Sequence, residues 1–323
     1  MSDLVQTHNL TQRFGTHTAL DNLNLAIPQG AVYGFIGPNG AGKTTTMRIL
    51  TTLLRPTNGD ATIAGHSVIK EPDAVRRMVG FMPDYFGVYD TMRVWEYLDF
   101  FAHVYGIKQP RRTALIKELL ELVDLTEKHD SYVMTLSRGM KQRLSLARTM
   151  AHDPKLLILD EPASGLDPRA RIELRELLRE LRNMGKTIMI SSHILTELAE
   201  MCTHVGIIER GKLLASGDVK TILHNLRPHK MLEIHVLERG DEAQAMLQVQ
   251  PYVNTVEIMP PTHEPSDQQH LVSVLNVNYG GDAVGSSALL THLIQHGFRV
   301  SHFAERRSDL EDIFLHVTTG AVA

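Results

Sequence analysis

The chain has 323 residues, 43% of them hydrophobic and 22% charged, and its 33 basic and 37 acidic side chains leave a net charge of −4. That length favours two domains over one, and the charge provides no global basic field for nucleic acid. The single cysteine, Cys202, excludes an intramolecular disulfide and points to a reducing compartment. No apolar run reaches the roughly 18 residues of a spanning helix, and the first ten residues lack a charged-then-apolar leader pattern. Work at a membrane would need another chain to do the spanning.

In chain order, residues 3–8 and 23–27 alternate apolar and polar, as half-buried strands do. Between them lies Arg13-Phe14-Gly15. Phe14 either stacks on an adenine ring or packs in the sheet, and its position alone does not choose. Val32 to Ile36 is apolar and strand-like. It leads into Gly37-Pro38-Asn39-Gly40-Ala41-Gly42-Lys43-Thr44-Thr45, which fits the phosphate-loop pattern G-x-x-x-x-G-K-[ST]. A helix is predicted from Lys43 to about Leu54. Strand, glycine-rich loop and helix are the context the pattern needs. Gly37, Gly40 and Gly42 let the backbone turn its N–H groups toward phosphate oxygens, and the helix start adds unpaired donors. Lys43 is placed for the β- and γ-phosphates and the Thr44 hydroxyl for Mg²⁺.

Residues 55–59 form a turn cluster. Ala61–Ile63 and Val68–Ile69 read as short strands around Gly65, and Val79–Met82 as a buried strand ending at Pro83-Asp84. Tyr85, Phe86, Val88 and Tyr89 then make an apolar, aromatic loop. It either packs the following segment or forms a partner's docking surface. From about 86 to 152 the texture is helical, with Leu115, Leu119, Leu122 and Val123 at helical spacing. At its end Leu136-Ser137-Arg138-Gly139-Met140 runs into a helix that stops at His152-Asp153-Pro154. Residues 155–159 form an apolar strand with Asp160 and Glu161 at its C-terminal edge. Asp167-Pro168 opens a helix with the stripe Leu174, Leu177, Leu178 and Leu181, ended by Gly185. Residues 187–193 read as a buried strand with His193 at its tip, and 205–209 with 212–215 as a hairpin.

The pattern breaks around 225–230. Beyond it the expected order is strand 231–237, helix 241–249, strand 253–259, strand 270–277, helix 285–296 and strand 298–304. This βαββαβ order makes residues 229–323 a small α+β domain of ferredoxin-like arrangement. A last helix has a capping box, Ser308 with Glu311, and an apolar face of Leu310, Ile313, Phe314 and Val317. His263, His270, His292, His296 and His302 lack metal-ligand spacing and read as surface or packing residues.

The phosphate loop, Leu136-Ser137-Arg138-Gly139, the strand ending Asp160-Glu161, Ser164-Gly165-Leu166-Asp167 and His193 stand in this order. Together they resemble the nucleotide-binding subunit of ATP-binding cassette (ABC) transporters over residues 3 to 220. The tail Leu310-Glu311-Asp312-Ile313-Phe314 resembles the branch of stand-alone ATPases that pair with separate export permeases. The resemblance implies an α/β P-loop NTPase core over residues 1–222, with the helical insert about 86–152, and ATP and Mg²⁺ as ligands. It implies that Asp160 and Thr44 hold Mg²⁺, that Glu161 is the general base, and that His193 contacts the γ-phosphate and orders Glu161. It implies that Ser137 and Gly139 complete the site of a facing subunit, a second copy or a paralogue, with Asp167 across the interface. A polytopic permease and a peripheral place on the cytoplasmic face of the inner membrane follow.

Two positions depart from the family pattern. The signature carries Arg138 where glycine is commoner. Asp84 stands where the family has Gln, so it either joins Thr44 and Asp160 at Mg²⁺ or only anchors its loop. A different reading is a soluble ABC ATPase acting on DNA or ribosomes. One phosphate loop, no sustained heptads and a negative net charge speak against it, and no nucleic-acid partner is expected.

Overall fold

The computed structural model describes residues 2–85, 87–194, 198, 201–219, 221–222, 230–259 and 272–306. Strand β1 (Asp3–Phe14) turns back tightly into β2 (His17–Leu23), with Phe14 opposite His17 and Gly15 at φ +57° between them. Strand β3 (Ala26–Pro28) pairs the first half of β1 on the same edge. The expected strands 3–8 and 23–27 are therefore corrected to three. The cause is visible in the register, which shifts between Leu10 and Gln12 and again before Arg13. Such bulges break the period of two that marks a strand in sequence. Strands β5 (Asn58–Ile63) and β6 (His66–Ser67) complete this antiparallel sheet in the order β2-β1-β5-β6.

The second sheet holds β4 (Val32–Ile36), β7 (Val79–Met82), β8 (Leu156–Leu159), β9 (Thr187–Ser192), β10 (His204–Glu209) and β11 (Lys212–Asp218). Its order is β11-β10-β4-β9-β8-β7, parallel except for the β10–β11 hairpin. Every residue of β4, β8 and β9 is buried. Covered on both faces, parallel strands read as continuous apolar runs, which is why the sequence shows them. Tyr33, Phe35, Met47, Ile49, Leu156 and Met189 share one core with the first sheet.

Helix α1 (Lys43–Leu50) is shorter than the expected 43–54. Thr51 turns its hydroxyl back to the Met47 carbonyl at 2.8 Å, and Thr52 adopts φ +62°. The left-handed residue ends the helix. Helix α2 (Pro72–Met78) has no counterpart in the sequence reading; Pro72 sits in its first turn. The insert is built from α3 (Val94–Val104), α4 (Arg111–Leu122) and α5 (Arg138–Met150). In α4 the buried stripe is Ile116, Leu119 and Leu120, with Leu115 and Leu122 half-buried, a shift from the expected face. Helix α6 (Pro168–Asn183) is capped by Asp167, whose carboxylate accepts from the Ala170 N–H at 2.7 Å, and buries all four expected leucines.

The chain divides into two compact units, Met1–Ile222 and Leu223–Ala323. The second contains β12 (Lys230–Val236), α7 (Gly240–Gln248), β13 (Val253–Met259), β14 (Ser273–Tyr279), α8 (Ala283–Gln295) and β15 (Val300–Arg306). The sheet order is β13-β14-β12-β15 and every pair is antiparallel. Strand β14 starts later than the expected 270. Leu232, Ile234, Leu247, Leu275, Val277 and Leu293 form its core. The last expected helix, His263 and His270 lie outside the described residues. The rings of His292 and His296 are 4.2 Å apart on α8, and His302 faces His235 across the strands at 4.8 Å. Among the described residues no three such side chains converge to hold a metal, and no helix is long and apolar enough to cross a membrane.

Candidate functional site

The site begins where β4 ends. Its last residue, Ile36, passes into residues 37–42, and α1 starts at Lys43. The turn leaves no room for side chains at Gly37 and Gly42, and Gly40 takes a left-handed φ of +82°. A Cβ on Gly37 would lie 2.2 Å from the Ile208 carbonyl, and one on Gly42, at φ +109°, 2.8 Å from the Ala19 carbonyl. The chain is therefore held against β10 and β2.

Lys43 is only 6% exposed. Its ammonium donates to the carbonyls of Gly37 (2.6 Å) and Pro38 (3.3 Å) and stands 3.6 Å from Glu161 Oε1. Buried ammonium groups are paired because desolvating one alone is costly. The two carbonyls take two of the ammonium's three N–H donors and Glu161 stands just outside hydrogen-bond distance, so one donor is open to an anion in the loop.

Asp160 follows β8 directly and is 2% exposed. Its Oδ2 accepts from the Thr44 hydroxyl at 2.9 Å and its Oδ1 from the Ser191 hydroxyl at 2.6 Å. These two hydroxyls are its hydrogen-bond partners among the described residues. A buried carboxylate facing neutral oxygens, beside a phosphate loop, is a donor set that fits a hard dication such as Mg²⁺. Glu161 takes φ +49°, rare for a residue with a long side chain. Its N–H donates to Ser191 Oγ at 2.8 Å, and its Oε2 lies 3.0 Å from His193 Nδ1.

These groups share one cleft of about 470 Å³. Phe14, His17, Pro38 through Thr45, Asp84, Asp160, Glu161, Ser164 and His193 line it. Phe14 is half-exposed on the cleft, not buried in the sheet. Asp84 is exposed on its wall. Ser137 and Gly139 are not in the cleft. Ser137 is exposed at the start of α5, where its hydroxyl accepts from the Met140 N–H at 3.2 Å. Arg138 reaches the other way: its guanidinium donates to the Ser164 carbonyl at 3.2 Å and lies over Gly165, which has φ +68°.

The sequence reading missed Ser191 and His17. Ser191 carries one faint signal, a hydroxyl in a strand that is otherwise Ile188-Met189-Ile190, followed by a second serine. His17 is placed at the cleft by the β1–β2 turn, which sequence did not locate.

Residues 20–164 match the profile of the ABC transporter family. The chain is 43% identical over 215 residues to the bacitracin transport ATP-binding protein BcrA of Bacillus licheniformis, covering 66% of this chain and 69% of that protein. It is 31% identical over 318 residues, 98% of each chain, to the Nod factor export ATP-binding protein I of Cupriavidus metallidurans. It is 32% identical to the daunorubicin/doxorubicin resistance ATP-binding protein DrrA of Streptomyces peucetius, over 97% of this chain and 92% of that one. Among solved structures, an ATP-binding subunit of an ABC transporter superposes with a TM-score of 0.62 at 28% identity, over 69% of this chain and 92% of its own. A cleft built from phosphate loop, buried Asp160 and Glu161 therefore has the relatives its geometry predicts, and the chain belongs to the ATP-binding subunits of ABC transporters, which hydrolyse ATP to energise transport.

Proposed function

We propose that the chain energises export as one of a head-to-tail pair of such subunits, docked on a separate polytopic permease at the cytoplasmic face of the membrane. The observation that carries the pair is the split site. Phosphate loop, Asp160, Glu161 and His193 share one cleft, while Ser137 and Gly139 stand outside it at an exposed helix start. A helix N-terminus with a free face is an anion site, and a facing chain's nucleotide is the anion that fits. Export is supported by the Nod factor export protein, which the chain matches end to end. We also read the second unit as ferredoxin-like, which its βαββαβ order and antiparallel sheet support.

In this reading Phe14 stacks on the adenine, and the N–H groups of Asn39, Gly40 and residues 42–45, with the Lys43 ammonium, hold the phosphates. Thr44 and Asp160 would hold Mg²⁺, which would supply charge neutralisation to the triphosphate. Asp84 is an added carboxylate on the same wall. Glu161, kept in place by His193, accepts the proton of the attacking water. Removing the γ-phosphate removes the bridge between the two chains, so the pair opens.

Ser137→Arg tests the pair. It should abolish phosphate release while the isolated subunit keeps its ATP affinity. Mixing Ser137→Arg with Lys43→Ala chains should restore some activity, because half of the mixed pairs' sites are intact. Loss of nucleotide binding by the Ser137→Arg subunit alone would refute an in-trans role.

The aromatic loop after Asp84 supports the permease surface. Tyr85 is 87% exposed and Tyr89 52%. Tyr89 is also packed, stacked on Phe101 at 6.5 Å and edge-on to Phe100 at 6.0 Å. Phe86 lies outside the described residues. Tyr85→Ala should leave melting temperature and ATPase of the isolated subunit unchanged and lower permease co-purification. Tyr89→Ala should also keep the ATPase and lower permease co-purification, but with a lower melting temperature from a loss of about 1 kcal/mol in stability, the scale of lost aromatic pairs. Permease binding unchanged in both would move the docking surface elsewhere.

A further inference from the structure

We infer that Ser191 is a positioning residue for the ATPase reaction, setting the metal carboxylate and the base through one hydroxyl. The inference rests on the ATPase reading and adds a residue to it. Ser191 is fully buried. A hydroxyl has one proton to give and two lone pairs to offer. Here the proton goes to Asp160 Oδ1 at 2.6 Å, and a lone pair takes the Glu161 N–H at 2.8 Å.

The placement follows from the parallel ladder. Strands β8 and β9 stay in register as far as Leu159 opposite Ile190. Asp160 still bonds the other neighbour, its N–H donating to the Met82 carbonyl at 2.9 Å. At Glu161 the backbone turns left-handed and leaves the ladder, so its N–H needs another acceptor. The Ser191 side chain supplies it. An αL conformation is unfavourable for a non-glycine residue, and a bond to a fixed, buried acceptor holds Glu161 there. With that backbone Glu161 faces His193 at 3.0 Å and Lys43 at 3.6 Å. The second bond stops Asp160 from rotating, which leaves Oδ2 with Thr44 on the cleft side. The same strand tip touches the loop as well, since the Ser192 carbonyl accepts the Gly37 N–H at 3.4 Å. Metal carboxylate, base and phosphate loop are thus all referenced to one strand end.

Removing the hydroxyl strands a buried N–H and frees a carboxylate, while the phosphate loop keeps every contact of its own. The effect should therefore fall on magnesium and turnover, not on the bare nucleotide. The test compares Ser191→Ala and Ser191→Thr with wild type in the full chain. Phosphate release is titrated with Mg²⁺, and binding of a fluorescent ATP analogue is measured in EDTA and in Mg²⁺. Ser191→Ala should lose about 10- to 100-fold in turnover or in the Mg²⁺ half-saturation point, the range for partners of metal-binding carboxylates. Its analogue affinity in EDTA should stay within about twofold of wild type, and its gain in affinity on adding Mg²⁺ should shrink. Ser191→Thr, which keeps the hydroxyl, should recover most of the loss. If the extra methyl prevents folding, Ser191→Ala with both binding measurements still decides. Wild-type turnover together with unchanged Mg²⁺ dependence in Ser191→Ala, or a loss equal in EDTA and Mg²⁺ that follows the melting curve, overturns the inference. A wild-type chain that binds nucleotide but releases no phosphate would instead sink the ATPase reading, and the Mg²⁺ effect on binding would still judge Ser191.

Discussion

Glu161→Gln should bind ATP as well as wild type and lose turnover by about 10²–10⁴-fold, the scale of a lost general base. The amide has the carboxylate's shape, so the contact with His193 Nδ1 at 3.0 Å is kept. The loop contacts of Lys43 are untouched. What disappears is the basicity that takes the water's proton. The nearby Lys43 also loses the carboxylate that stands 3.6 Å from it, so its charge is left to the phosphates and affinity should hold or rise. Phosphate release and nucleotide titration measure the two effects separately. With ATP present the variant should elute from gel filtration as a stable pair. Wild-type turnover in Glu161→Gln would remove Glu161 from the base role.

Lys43→Ala should fail one step earlier. Lys43 is the cation buried in the turn of the loop, and its carbonyl partners place it where β- and γ-phosphates are expected. Without it, the N–H groups of the loop remain, but Glu161 and Asp160 face the triphosphate with no fixed positive side chain between them. Truncating one partner of a buried charge pair costs about 2–5 kcal/mol, a loss of about 30- to several-thousand-fold in affinity. Equilibrium titration with a fluorescent nucleotide measures it, and circular dichroism checks that the variant folds. Affinity within threefold of wild type would contradict the phosphate role. Binding kept in Glu161→Gln and lost in Lys43→Ala would separate chemistry from recognition.

The phosphate loop was legible because its chemistry fixes residue identity at consecutive positions, while crowding fixes Gly37 and Gly42 and a left-handed backbone favours glycine at 40. The central strands and α6 were legible because burial on both faces, or on one stripe, writes a simple pattern. Strand β1 was legible only to residue 8, since its bulges erase the alternation. The end of α1 hinged on Thr52 taking a left-handed backbone, which threonine seldom does, so no residue type announced it. The face of α4 drifted because leucines lie on both sides of its stripe. Ser191 showed only as a hydroxyl in an apolar strand, because its role comes from two strand tips lying side by side, a fact of register and not of local composition. Arg138 could be seen as a departure, but its target, Ser164, was unknown until the turn and α5 were packed together.

The Arg138 contact also constrains substitution at Gly165. A side chain on residue 165 would meet the guanidinium at 2.7 Å and would have to adopt a φ of +68° as well. A Cβ at 165 would therefore push aside the flexible end of Arg138, and with it the hydrogen bond to the Ser164 carbonyl, while the left-handed backbone is the larger obstacle to replacing Gly165. Exchanging Arg138 for a smaller residue would relieve the crowding at 165 and leave that backbone demand in place.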